Sequence, residues 1–142
     1  MPTTRDNTRN RIFIQYAVPR RGLPGPAILR KWARAVSPGG VTLRIVGERE
    51  GRRLNRTYRN KNRATNVLTF EPADVVLCHP VVRREARAQG KSVAAHYAHL
   101  VVHGVLHLRG YAHEKKRDAA RMEAREIRIL RRAGIRNPYT VE

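Results

Sequence analysis

A single cysteine, Cys78, stands in the 142 residues, so no disulfide can form within the chain. That fits a reducing compartment, and a cytoplasmic location is the expectation. No apolar run approaches the roughly 20 residues that a membrane-spanning helix needs. Residues 1–11 are polar and charged, unlike a hydrophobic leader, so a membrane is not an expected partner. Aromatic residues make up only 6% of the chain. Acidic residues are scarcer still against the basic ones, 11 to 30, which leaves a formal net charge of +19. Such an excess points to a polyanionic partner, nucleic acid first and an anionic surface second. Arginine supplies 25 of the 30 basic residues. GC-rich coding accounts for arginine over lysine, but less well for the lack of acid. With few rings to stack on bases, contact to a nucleic acid should fall mainly on its backbone. Internal repeats and long low-complexity segments are absent, and the length suits one domain, 1–142, with one core.

Hydrophobic patterning divides the chain into short elements. Residues 11–18 and 41–46 read as strands. In the second, Val41, Leu43 and Ile45 share one face, and Thr42, Arg44 and Val46 the other. Residues 27–36 have helical spacing, with Ile28, Leu29, Trp32 and Val36 available to a core. A short polar helix is expected over 49–58, then a basic loop running into a strand that ends at Phe70. Residues 75–78 form another strand, and the connection Glu71-Pro72-Ala73-Asp74 suggests a hairpin. Pro80 suits the first turn of a helix that ends near Ala88. Ser92 is the expected N-cap for a long helix over 93–109. A charged helix follows over 115–133, closed by Gly134. The pattern predicts an α+β fold, an α/β sandwich in which about five helices pack on a small mixed four-stranded sheet.

The densest chemistry lies in His103-Gly-Val-Leu-His107-Leu-Arg-Gly110-Tyr-Ala-His113. Histidines at i and i+4 project from one helix face, a turn apart. Gly110 tolerates the left-handed backbone that ends a helix, so the chain can bring His113 back as a third ligand. Three imidazoles leave a fourth position for water, the pattern of a catalytic zinc. The spacing equals that of the metzincin peptidases, H-E-x-x-H-x-x-G-x-x-H, except that Gly104 replaces the glutamate that serves as their general base. The metal site is kept and the peptidase chemistry is not. His99 shares the face of His103 and His107. However, it lies eight residues from His107, about 12 Å along a helix, so one ion cannot take both. His79, His96 and His99 are therefore expected to pack or to line a groove.

The histidine motif resembles the signature of the YbeY family of bacterial endoribonucleases. Leu54-Asn55-Arg56-Thr57-Tyr58-Arg59, Thr65-Asn66-Val67-Leu68-Thr69-Phe70 and Asn137-Pro138-Tyr139 resemble other blocks of that family. The resemblance runs in register over roughly residues 40–142. It implies a zinc-dependent endoribonuclease, specific for single strands, acting in 16S ribosomal RNA 3′-end maturation and ribosome quality control. Its partners would be single-stranded RNA, 16S rRNA and the small ribosomal subunit. The resemblance implies one Zn²⁺ per chain on His103, His107 and His113, and a functional Arg59 near the metal. Arginine suits that role because its planar fork matches phosphate oxygens. Arg56, Lys61 and Arg63 are the further residues expected to contact RNA. Two positions depart from the family: Ala112 stands where an Asp is usual, and the connection over 71–74 is shorter. A basic ribosome- or RNA-binding protein with a structural or vestigial zinc site and no nuclease activity is the alternative expectation.

Overall fold

The computed structural model describes residues 11–37, 39–110 and 116–139, without the side chains of 116–118. The described elements run β1 (Ile12–Tyr16), α1 (Pro26–Val36), β2 (Val41–Val46), α2 (Glu48–Arg59), β3 (Val67–Phe70), β4 (Asp74–Cys78), α3 (His79–Ala88), α4 (Val93–Leu108) and α5 (Lys116–Arg132). These are the four strands and five helices that the patterning predicts, with bounds shifted by a few residues. Helix α1 is the crossover between β1 and β2, which pair in parallel, as a βαβ unit requires. The sheet order is β1-β2-β4-β3. β4 pairs with β2 in parallel and with β3 antiparallel, so the expected hairpin forms and leaves β3 at the sheet edge.

Alternation in β2 sets the two sides of the sheet. Val41, Leu43 and Ile45 join the main core with Leu29 and Trp32 of α1, most of α4, and Met122, Ile129 and Leu130 of α5. Val46 points the other way and joins Leu68, Val76, Cys78 and Val81 in a smaller cluster that Leu54 of α2 and Phe70 cover in part. In α1 the buried residues are Leu29, Trp32 and Ala33, whereas Ile28 is exposed. The expectation for Ile28 is corrected: the stripe runs through 29, 32, 33 and 36, and residue 28 lies outside its edge, about 90° from its centre. None of the described helices is long and apolar enough to cross a membrane.

Helix α4 is the central element, with nine buried residues. Ser92 caps it, its hydroxyl accepting from the Ala95 N–H at 3.0 Å, as the sequence predicts. Gly104 sets how closely α4 lies on the sheet. A Cβ there would fall 2.9 Å from Val75 Cγ1 and 3.5 Å from Thr69 Cγ2. The position that holds a catalytic glutamate in a peptidase is thus pressed against β4, with no room for a side chain. At the other end Gly110 takes φ +97°, the left-handed turn expected after His107.

Candidate functional site

The close approach at Gly104 brings its neighbours on α4 against the edge strand. His103 and His107 line a pocket of about 230 Å³ with Val67, Leu68 and Thr69 of β3 and with Arg59 from the end of α2. Three residues singled out in the sequence therefore meet in one place. Arg59 is held there by Nη2, which donates to the Thr69 carbonyl at 2.8 Å, and by Nη1, which donates to Tyr58 O at 3.2 Å. Its guanidinium also lies 5.3 Å from the Phe70 ring centroid. A cation fixed in this way needs little further ordering to meet a phosphate. His113 and Ala112 lie outside the described residues.

Behind His103 stands a residue that the sequence reading did not single out. Glu126 of α5 has no exposed surface. It accepts from His103 Nδ1 at 3.1 Å and from His99 Nε2 at 3.0 Å. The Tyr139 hydroxyl donates to both carboxylate oxygens at 3.0 Å. Burial alone would raise the pKa of Glu126, but the hydrogen bonds from His103 and His99 outweigh it and hold the carboxyl at about 2. Burial, with the Glu126 charge beside it, pushes Tyr139 up, so its hydroxyl stays a donor. The buried carboxylate thus orients two imidazoles. Since Nδ1 of His103 carries the proton given to Glu126, Nε2 is the nitrogen suited to a metal. Tyr139 is positioned by its neighbour, its N–H donating to Asn137 Oδ1 at 2.8 Å. This gives the block at 137–139 a structural purpose.

The donor chemistry fits a metal ion in two ways. One set is the histidine pair of the pocket, His103 and His107. The other is His99, His103 and Glu126, whose ligand atoms lie within 4.8 Å of one another. The expectation that His99 only packs or lines a groove therefore needs refinement: it is part of the cluster behind the pocket. Glu126 carried a legible signal, because Met122, Glu126 and Leu130 follow at i, i+4 and i+8, placing a carboxylate on an apolar stripe.

The other expected residues lie elsewhere. Arg56 lines an exposed arginine face of α2 with Arg49, Arg52 and Arg53. Lys61 and Arg63 are exposed on the loop after α2. That loop is anchored by buried Asn55, whose Nδ2 donates to Arg63 O at 2.8 Å. His96 is buried, with Nε2 2.8 Å from Glu85 Oε1. His79 Nδ1 lies 2.8 Å from the Tyr97 hydroxyl. Neither histidine lines the pocket, as expected from their positions.

Comparison with known proteins follows the same geometry. The family model described as Endoribonuclease YbeY matches residues 29–134. The chain is 46% identical over 138 residues to the Endoribonuclease YbeY of Nitrosomonas eutropha, covering 91% of this chain and 98% of that protein. It is 54% identical over 129 residues to the Endoribonuclease YbeY of Methylibium petroleiphilum, covering 84% and 86%. Among solved structures it resembles the solution structure of TM1509 from Thermotoga maritima, with a TM-score of 0.56, 22% identity and coverage of 92% and 99%. That last likeness is one of fold.

Proposed function

The chain belongs to the Endoribonuclease YbeY family, and from that premise we propose that it is a zinc-dependent endoribonuclease that cuts single-stranded RNA. It works as a single domain in the cytoplasm, in the 3′-end maturation of 16S rRNA and in ribosome quality control, with the small ribosomal subunit as its partner. The observation that carries this reading is the pocket in which His103 and His107 meet the guanidinium of Arg59.

In this reading His103, His107 and His113 hold one Zn²⁺. Support comes from the spacing of the three histidines, from the left-handed backbone at Gly110 and from the carboxylate that fixes the His103 ring. Glu126 is assigned to orientation, because it is wholly buried and its oxygens already accept from three donors. Zinc, when bound, lowers the pKa of a water and polarises a phosphoryl oxygen. Arg59, held against Thr69 O, presents a positive charge where negative charge develops on the phosphate. The wall of β3 keeps the site recessed, which favours a strand that can bend into it over a stacked duplex. Arg56, Lys61 and Arg63 add positive charge further out along the backbone path.

The test is cleavage of matched single- and double-stranded RNA by rigorously purified protein, with His107→Ala and Arg59→Glu beside it. Single strands should be cut faster than duplex. His107→Ala should be inactive, and Arg59→Glu should keep fold and metal but lose cleavage. A duplex cut as fast as the single strand, or cleavage undiminished in His107→Ala, would contradict the reading.

A further inference from the structure

Few aromatic residues are present, yet two of them are placed together at the rim of the site. Tyr58 is 59% exposed, more than the other large hydrophobic residues exposed among those described. Its ring meets Phe70 edge to face, with centroids 5.2 Å apart and planes at 70°. Phe70 in turn has the Arg59 guanidinium over its ring. The consecutive residues Tyr58 and Arg59 thus grip one phenyl ring of the edge strand. Arg59 faces the histidine pocket. Tyr58 borders a groove of about 620 Å³ on the face of the sheet opposite the main core.

The charges that line the groove do not favour a phosphate. Arg44 on its floor is neutralised by a two-pronged ion pair with Glu50, at 2.7 and 3.0 Å. Glu71 and Asp74 at its rim are acidic and repel a phosphate. A phosphate therefore belongs at Arg59, and what lies beside it over Tyr58 is the uncharged part of a nucleotide. The net charge of +19 draws nucleic acid to the protein as a whole. A braced, exposed tyrosine offers a face on which any base can stack.

We propose that Tyr58, braced by Phe70, is a stacking platform for one unpaired nucleobase of the substrate, next to the phosphate held by Arg59. This rests on the RNA-cleaving reading of the histidine pocket. A base locked in a duplex has no free face to give to Tyr58, so the platform helps the site to select single strands.

The experiment is an abasic scan. Metal-free full-length protein is titrated by fluorescence anisotropy with a single-stranded RNA carrying one abasic nucleotide at each position in turn. One position, or two adjacent ones, should weaken wild-type binding by roughly 5- to 150-fold, the range for loss of one stacked base. Tyr58→Ala should weaken binding of the intact RNA by the same factor and become insensitive to the abasic nucleotide there. Tyr58→Phe should behave as wild type, which a role for the hydroxyl would not allow. If wild type binds RNA but no abasic position matters, or Tyr58→Ala binds every RNA as wild type does, the platform is overturned and the RNA-cleaving reading survives. If wild type binds no RNA either metal-free or zinc-loaded, both fall.

Discussion

Glu126 keeps its charge with no exposed surface, which is costly unless donors surround it. Three do, and one of them is the histidine that the pocket shares with His107. The residue acts by fixing a ring and a tautomer. Glu126→Gln retains the shape but gives up the charge and part of the accepting capacity. Metal affinity, measured by competition with a chromogenic chelator, should fall by roughly 10- to 100-fold. Complete loss of binding would instead make Glu126 a ligand, and would shift the centre to His99, His103 and Glu126. Much of this was within reach of the sequence. His103, His107 and the turn glycine stand within eight consecutive residues, so spacing alone singles them out. Glu126 lies within α5 and Tyr139 seven residues beyond its end. Only the packing of α5 on α4 brings them behind His103, and no local pattern states which charge a buried carboxylate will meet. The brace between Tyr58 and Phe70 was equally hidden, since residue counts carry no positions.

At the scale of elements, α4 does most of the positioning. It is apolar on nearly every side because α1, α3, α5 and the sheet surround it. Its polar side chains are tied to neighbouring elements. His96 gives Nε2 to Glu85 of α3 at 2.8 Å, and the same carboxylate oxygen takes the Asn66 amide at 3.0 Å, at the entry to β3. One carboxylate therefore ties α4, α3 and the strand that walls the pocket. Burial pulls the pKa of His96 below its ordinary 6.5; the hydrogen bond that it donates to Glu85 opposes this, while Lys91 and His99 add to the depression. The sign follows. As pH falls below about 6.5, the unfolded chain takes up a proton that folded His96 resists, so stability falls with falling pH. His79, also pulled down by burial, adds to the trend. Urea unfolding at pH 7.5 and 5.5 should show wild type less stable at the lower pH, and His96→Gln should lose less over that interval. An identical pH dependence in the two proteins would mean that His96 does not carry the effect. The elements themselves were legible, because β2 alternates cleanly and α4 is long, capped and apolar. Side-chain facing was less so. Ile28 is apolar and helical yet exposed, since the elements that pack on α1, α4 above all and then β1, decide which stripe is buried.

For the whole molecule, 30 basic residues against 11 acidic ones make association with RNA a matter of counterion release. Each phosphate neutralised on a single strand contributes a slope of about −0.7 in log K against log salt. A groove covering about four to six phosphates should therefore give a slope of about −3 to −4. A salt titration of binding measures it, and salt-insensitive binding would exclude the electrostatic account. Charge alone does not cut RNA, however. The central claim is that the histidine pocket is a catalytic metal centre. The most direct test is to titrate zinc into metal-free protein and to follow occupancy and single-strand cleavage in the same samples. Cleavage should be absent without metal, rise in proportion to occupancy and saturate at about one zinc per chain. The His103→Ala/His107→Ala double variant should show neither binding nor cleavage. Full occupancy without cleavage would make the protein an RNA binder with a structural zinc, and cleavage at zero occupancy would remove the metal from the chemistry.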